Sequence, residues 1–468
     1  MRQGGCVTNG FSAGMPAGIG TGVGIRRGQL LRAGCRGVLA GGLVAGLALA
    51  ASPVVAQIAP PTQRIQPPEG AVIDDPNRVF GDDADVFAPL AIVGALGLNG
   101  YAGLTTEYSD NVARVRDGQP MSSRFSSKDD WIFRPTVGLT FERPIGRNRL
   151  FGTASLGRTI YASNTRLNSN RYGLSGGAAI ALGQACSAQL KAAWSRRDTQ
   201  LGTFEDVVAS QQGRTSYGGS VGCSTISGIS GTVGYNRSAV NNYSSDPTSD
   251  RSFANVRSEV VSANVGYRVG LRGQVGVSGS WAENSYPNQI IGGVTNSNQI
   301  RSLSGFASYR IGNSMNASGS IGRTQLSSSI PGSSDFSGMN WNLALGYAGP
   351  RMGANISTGQ GVNGGRGSSA NYSIQRFYNF STTYRANDRL RFAAGYSHSN
   401  ADFRGISSIP ETEIAKTNTN DRFFIGSDYA LNRLLRFGVD FNHQRRSSDP
   451  EDFSYKVNSV TFSVRGSF

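Results

Sequence analysis

The stretch Val460-Thr461-Phe462-Ser463-Val464-Arg465-Gly466-Ser467-Phe468 puts an apolar residue or a glycine at every second position and a polar one between. A period of two belongs to a strand with one face in an apolar medium and the other in water. The alternation recurs along the chain. Trp131, Phe133, Pro135, Val137, Leu139 and Phe141 share a face, with Arg134, Thr136, Thr140 and Glu142 opposite. Trp341, Leu343, Leu345 and Tyr347 alternate with Asn342, Ala344 and Gly346, and Phe437, Val439 and Phe441 with Arg436, Asp440 and Asn442. Past the N-terminal region no apolar run reaches the roughly 20 residues a membrane helix needs. Strands of this kind satisfy their backbone in hydrocarbon only by closing into a ring. The expected fold is all-β, a transmembrane antiparallel up-and-down barrel with a wet interior lined by small and polar side chains.

Short turns set the strand count. Ile145-Gly146-Arg147-Asn148, Leu182-Gly183-Gln184, Thr225-Ile226-Ser227-Gly228, Val269-Gly270-Leu271-Arg272, Ile311-Gly312-Asn313, Ala348-Gly349-Pro350, Ala386-Asn387-Asp388 and Leu431-Asn432-Arg433 carry the residues tight turns favour. Between them lie longer polar stretches, such as Asn236 to Ser252, Ser285 to Asn298 and Arg404 to Asp421, expected to be outer loops. Eight turns join nine hairpins, which gives about 18 strands, with 16 as the alternative. An even count places both ends of the barrel in the periplasm. Phe141, Tyr267, Tyr309, Tyr347, Tyr384, Tyr429 and Phe468 fall at one end of the spans, and Tyr108, Trp194, Tyr235, Trp281 and Tyr396 at the other, as two interfacial girdles require.

Residues 1–56 read as a signal peptide. Arg26, Arg27, Arg32 and Arg36 precede an apolar segment from about Val38 to Ala51, and Val54-Val55-Ala56 offers a cleavage site before Gln57. Residues 57–97 form a Pro-rich acidic segment, expected to be a periplasmic tail, and residues 98–468 form the barrel. The net charge is +15; the leader holds five of the 45 basic residues and none of the 30 acidic ones, so the remainder carries about +10. The arginines stand singly along strands, with no basic helix or zinc module, which speaks against nucleic acid.

Little chemistry is legible. Cys186 and Cys223 fall on neighbouring antiparallel strands at the same end and on the same outward face, so an oxidising periplasm favours a cross-strand disulfide, two free lipid-facing thiols being the alternative. His398 and His443 point outward with no nucleophile signature, and no cofactor or metal set is visible, so no enzyme is expected. Arg134, Arg268, Arg310, Arg391, Arg422, Arg436 and Arg465 fall on the inward face. Rings of arginine in a pore favour anions, unless Asp428, Asp440 and Glu142 neutralise them as wall structure. Phe306 and Phe424 are among the few inward aromatic candidates, as most aromatics face out.

Phe462, Val464 and the terminal Phe468 resemble the insertion signal of bacterial outer-membrane barrels. Gly103-Leu104-Thr105-Thr106-Glu107-Tyr108-Ser109-Asp110-Asn111-Val112-Ala113-Arg114, followed by Trp131-Ile132-Phe133-Arg134-Pro135, resembles the opening of the porin-like family called outer-membrane β-barrel 2. The resemblance implies a role in producing and exporting an acidic exopolysaccharide from a Gram-negative bacterium. A general anion-preferring porin, or a structural barrel anchoring an export complex, are the alternatives. The expected partners are outer-membrane lipid and lipopolysaccharide, the barrel assembly machinery, an acidic polysaccharide and periplasmic export proteins.

Overall fold

The computed structural model describes residues 97–121, 125–199, 210–244, 252–331, 333, 335–364, 372–404, 416–449 and 451–468. The signal peptide and the Pro-rich tail lie outside the described residues. Eighteen strands follow in chain order: β1 (Leu98–Ser109), β2 (Asp130–Ile145), β3 (Asn148–Tyr161), β4 (Ser169–Leu182), β5 (Cys186–Thr199) and β6 (Ser210–Ser224). Then come β7 (Ile229–Ser244), β8 (Val256–Val269), β9 (Gly273–Ile291), β10 (Val294–Ile311), β11 (Met315–Ser328) and β12 (Phe336–Ala348). The last six are β13 (Met352–Gly364), β14 (Tyr372–Arg385), β15 (Leu390–Arg404), β16 (Thr417–Ala430), β17 (Leu435–Asp449) and β18 (Tyr455–Ser467). Each strand pairs antiparallel with its sequence neighbours, and β1 pairs with β18, so the sheet is a closed eighteen-stranded barrel.

All eight expected turns join strands. Glycines 146, 183, 228, 270 and 312 carry five of them with φ between 61° and 89°, a region a side chain would strain. Strand bounds differ from the reading at the opposite, loop end. β7 runs on to Ser244, into the expected Asn236–Ser252 loop. β9 and β10 continue to Ile291 and from Val294, through most of Ser285–Asn298. They meet at Gly292-Gly293, where two successive positive φ values, 59° and 82°, make a two-residue hairpin turn. β16 begins at Thr417, inside the expected Arg404–Asp421 loop. The cause is physical. Beyond the spanning part no face must meet hydrocarbon, and buried polar groups such as Asn242, Gln289 and Asn296 fill one face, so hydrogen-bonded pairing continues while the apolar alternation that marks a strand disappears.

The outward face is apolar along the spanning part. Leu303 is 65% exposed, Leu343 54% and Val265 55%, in positions that a soluble protein would bury. An apolar exterior on a ring without edges fits the hydrocarbon of a bilayer. Tyr267, Tyr309, Tyr347, Tyr384, Tyr429 and Phe468 are exposed at the turn end, and Trp194, Tyr235 and Tyr396 toward the loop end, as two girdles.

Hydrogen bonds fasten the seam at both ends. At the turn end Phe468 and Gly100 exchange both backbone bonds, at 2.7 and 2.8 Å. At the loop end the Asp110 carboxylate accepts from the Asn458 backbone N–H at 2.8 Å and from its side-chain amide at 2.6 Å. Asn111, almost fully buried, donates to the Lys456 carbonyl at 2.8 Å. Val112, Ile132 and Tyr161, with Leu167 against them, form a small buried cluster beside this seam.

Candidate functional site in the lumen

The seven arginines read as inward all lie on the lumen face, each beside an outward apolar neighbour. Arg268 sits between exposed Tyr267 and Val269, and Arg310 between exposed Tyr309 and Ile311. Arg391, Arg422, Arg436 and Arg465 adjoin outward Phe392, Phe423, Phe437 and Val464. Arg134 follows outward Phe133. Arg268, Arg310, Arg391, Arg436 and Arg465 stand within two residues of a strand end, so they gather at the turn-end mouth. Arg134 and Arg422 lie deeper.

Their partners differ. Arg134 Nη1 donates to Glu107 Oε2 at 2.6 Å, and Arg391 Nη2 to Asp428 Oδ2 at 2.7 Å. Arg422 Nε donates to Asn442 Oδ1 at 2.6 Å. The Arg465 guanidinium lies 4.3 Å over the Tyr101 ring, a cation–π arrangement. Of the acids expected to offset them, Asp428 pairs as anticipated, whereas Glu142 pairs with Arg149 at 3.1 Å. Asp440 Oδ1 is buried with no hydrogen-bond partner among the described residues. The register places like charges directly opposite each other on the lumen face: Arg436 faces Arg465, and Arg385 faces Arg391. Such placements cost stability in a sheet.

A second set of lumen groups was legible only in part: Phe306 and Phe424 read as inward, whereas Tyr101, Phe151, Phe377 and the partners of all five did not. Five aromatic residues stand directly opposite a glycine on the neighbouring strand: Tyr101 opposite Gly138, Phe151 opposite Gly177, Phe306 opposite Gly276, Phe377 opposite Gly359 and Phe424 opposite Gly395. A methyl built on Gly177 would stand 2.6 Å from Phe151 Cζ; on Gly276, 2.5 Å from Phe306 Cζ; on Gly359, 2.8 Å from Phe377 Cε1; and on Gly395, 2.6 Å from Phe424 Cζ. Each ring therefore occupies the space of the missing side chain and leans on the wall. Such cross-strand covering of a glycine supports the sheet at an otherwise bare position. Only strand register reveals it, because the paired residues lie up to 37 positions apart in sequence.

The lumen is not uniformly polar. Val260, Ala282, Ile300, Leu326 and Phe336 pair in one lateral row across β8 to β12, on the inward face. Val362 and Tyr372 pack on this row together with Ile374, and the Tyr372 and Phe336 rings are 5.3 Å apart. The expectation of a wet interior fails here. Val362, Tyr372 and Ile374, at the outer ends of β13 and β14, bury an apolar band that, on single strands, reads as isolated residues.

Cys186 and Cys223 are paired opposite each other on β5 and β6, with Cα atoms 4.0 Å apart and their sulfurs bonded. His398 Nδ1 lies 2.8 Å from Asp421 Oδ1, which also accepts from the Tyr396 hydroxyl at 2.7 Å, all on the outward face. His443 Nδ1 contacts Asn458 Oδ1 at 2.7 Å. Phe462, Val464 and Phe468 point outward in the strand that completes the seam.

No protein-family model matches the chain, and no curated protein does. The family resemblance of the opening strand therefore rests on its short motifs alone. Among solved structures the chain is similar to OpdQ of Pseudomonas aeruginosa, at 11% identity over 79% of this chain and 97% of that one, with a TM-score of 0.42. The siderophore receptor PirA from the same organism aligns at 11% identity over 79% of this chain and 80% of its own, with a TM-score of 0.42. The FrpB iron transporter from Neisseria meningitidis aligns at 8% identity over 79% and 81%, with a TM-score of 0.47. Likenesses this distant decide nothing about a solute, and the barrel rests on its own eighteen-strand register.

Proposed function

We propose that this barrel stands in the outer membrane of a Gram-negative bacterium with its turn end in the periplasm, and that it passes, or helps to secrete, an anionic exopolysaccharide through a basic lumen. The observation that carries this reading is the two opposed arginine pairs at the turn-end mouth, Arg436 with Arg465 and Arg385 with Arg391, of which Arg391 also meets Asp428. Fixed cations set against each other in a wall are a cost to the fold. They raise the local concentration of anions, and a low-dielectric rim focuses that field. One observation favours a second reading, a general anion-preferring porin for small solutes. The apolar row joined to Val362 and Tyr372 makes part of the inward face toward the loop end apolar, where a charged polymer gains no contact.

The test is a reversal-potential measurement in planar bilayers under a potassium chloride gradient. Anion preference is expected, and it should fall in the Arg436→Gln/Arg465→Gln variant. Cation preference in the unaltered barrel overturns the basic-lumen reading.

A further inference from the structure

The five ring–glycine pairs do more than fill gaps. A ring that leans on the wall turns its free face toward the lumen and leaves the passage open, whereas a ring standing upright would obstruct it. Phe151, Phe306, Phe377 and Phe424 are all half-buried, as this placement requires. Tyr101 differs, because the Arg465 guanidinium already covers its lumen side. Phe151 differs in the same way: the Arg149 guanidinium lies over its ring, 5.8 Å from the centroid, and is itself paired with Glu142. The four phenylalanines belong to β3, β10, β14 and β16, the last two with only β15 between them. A flat apolar ring face suits the axial C–H face of a pyranose, and a neighbouring guanidinium suits the carboxylate of an acidic sugar.

We propose that Phe306, Phe377 and Phe424 are stacking platforms for the sugar rings of a glycan in transit, with Arg436 and Arg465 at the turn-end mouth drawing in its carboxylates. The inference rests on the reading of this barrel as a glycan passage and names the groups that would contact the chain. Apolar stacking and anion attraction then act through different residues, and this separates the two in experiment.

The experiment is single-channel recording with the full-length barrel, using oligogalacturonate as an acidic probe and a maltooligosaccharide as a neutral one. Both should block the current transiently. The triple variant F306L/F377L/F424L keeps an apolar cover over each glycine. It should weaken block by both probes by about tenfold or more, on the scale of three lost ring contacts, with the chloride reversal potential unchanged. The Tyr versions of the same three positions keep a ring face and should keep the block. R436Q/R465Q should lower chloride preference and oligogalacturonate block while sparing the neutral probe. Unaltered block in the Leu variant overturns the platform assignment, as does absence of block by either sugar in the native barrel, even where anion preference holds. If the triple Leu variant does not fold, the single F424L and F424Y variants give the same comparison. Cation preference in the native barrel instead removes the underlying passage reading.

Discussion

Replacing Glu107 with Gln is the sharpest test of how the lumen wall is held. The Glu107 and Arg134 side chains are only 8% and 12% exposed, and their closest atoms are 2.6 Å apart. The pair spans β1 and β2, next to the seam. Glutamine keeps the shape and removes the charge, leaving the guanidinium in a mostly dry wall without its carboxylate. Breaking a buried ion pair from one side costs about 3–5 kcal/mol. Arg134 has further polar neighbours, which places the expectation at the low end. A loss of about 3 kcal/mol lowers the ratio of folded to unfolded barrel by more than about a hundredfold. The double change Glu107→Leu/Arg134→Met removes both charges and should recover most of that loss. The assay is urea unfolding of the barrel in detergent micelles, followed by circular dichroism and by the gel mobility of unheated samples. A wild-type midpoint for the Gln variant, or a double variant no more stable than the single one, refutes the reasoning.

Three further outcomes are expected. Non-reducing digestion should yield one peptide pair joined through Cys186 and Cys223. With 37 residues of separation, reduction should cost about 4 kcal/mol by loop-closure entropy, seen as a lower urea midpoint; two alkylatable thiols in the native barrel would refute the bond. Gly395→Ala should destabilise the barrel by about 1–3 kcal/mol, because the new methyl meets the Phe424 ring and the Phe380 carbonyl; added Phe424→Leu should restore part of the loss in the same unfolding assay. Leu343→Arg, on the outward face midway along β12, should cost about 2–4 kcal/mol in lipid vesicles, whereas Asn342→Arg on the lumen side should cost far less, and equal losses would contradict the assigned faces.

What the sequence showed and what it hid follow one boundary. Where a strand separates oil from water, the alternation is forced, and the eight turns, the eighteen strands and the inward side of Arg268 or Arg436 could be read directly. Where no face meets hydrocarbon and buried positions are polar, as in β7 beyond Asn236 or β9 beyond Ser285, nothing forces an apolar pattern and the strands read as loops. Partnerships were hidden for a different reason. Glu107 with Arg134, Phe377 on Gly359, and the row from Val260 to Phe336 are properties of lateral register. Register is set by turn geometry and strand stagger summed around the ring, and no single strand carries it. Cys186 and Cys223 were exceptions, because one short turn on each side fixed their heights.

The exchange of backbone bonds between Phe468 and Gly100 has a consequence for how such a chain is made. A polypeptide missing its final segment would hold two raw rims of unpaired amides, which hydrocarbon cannot solvate. The spans therefore rest in hydrocarbon unaided only once both extremities have met, and the final residue is what makes the ring self-sufficient there.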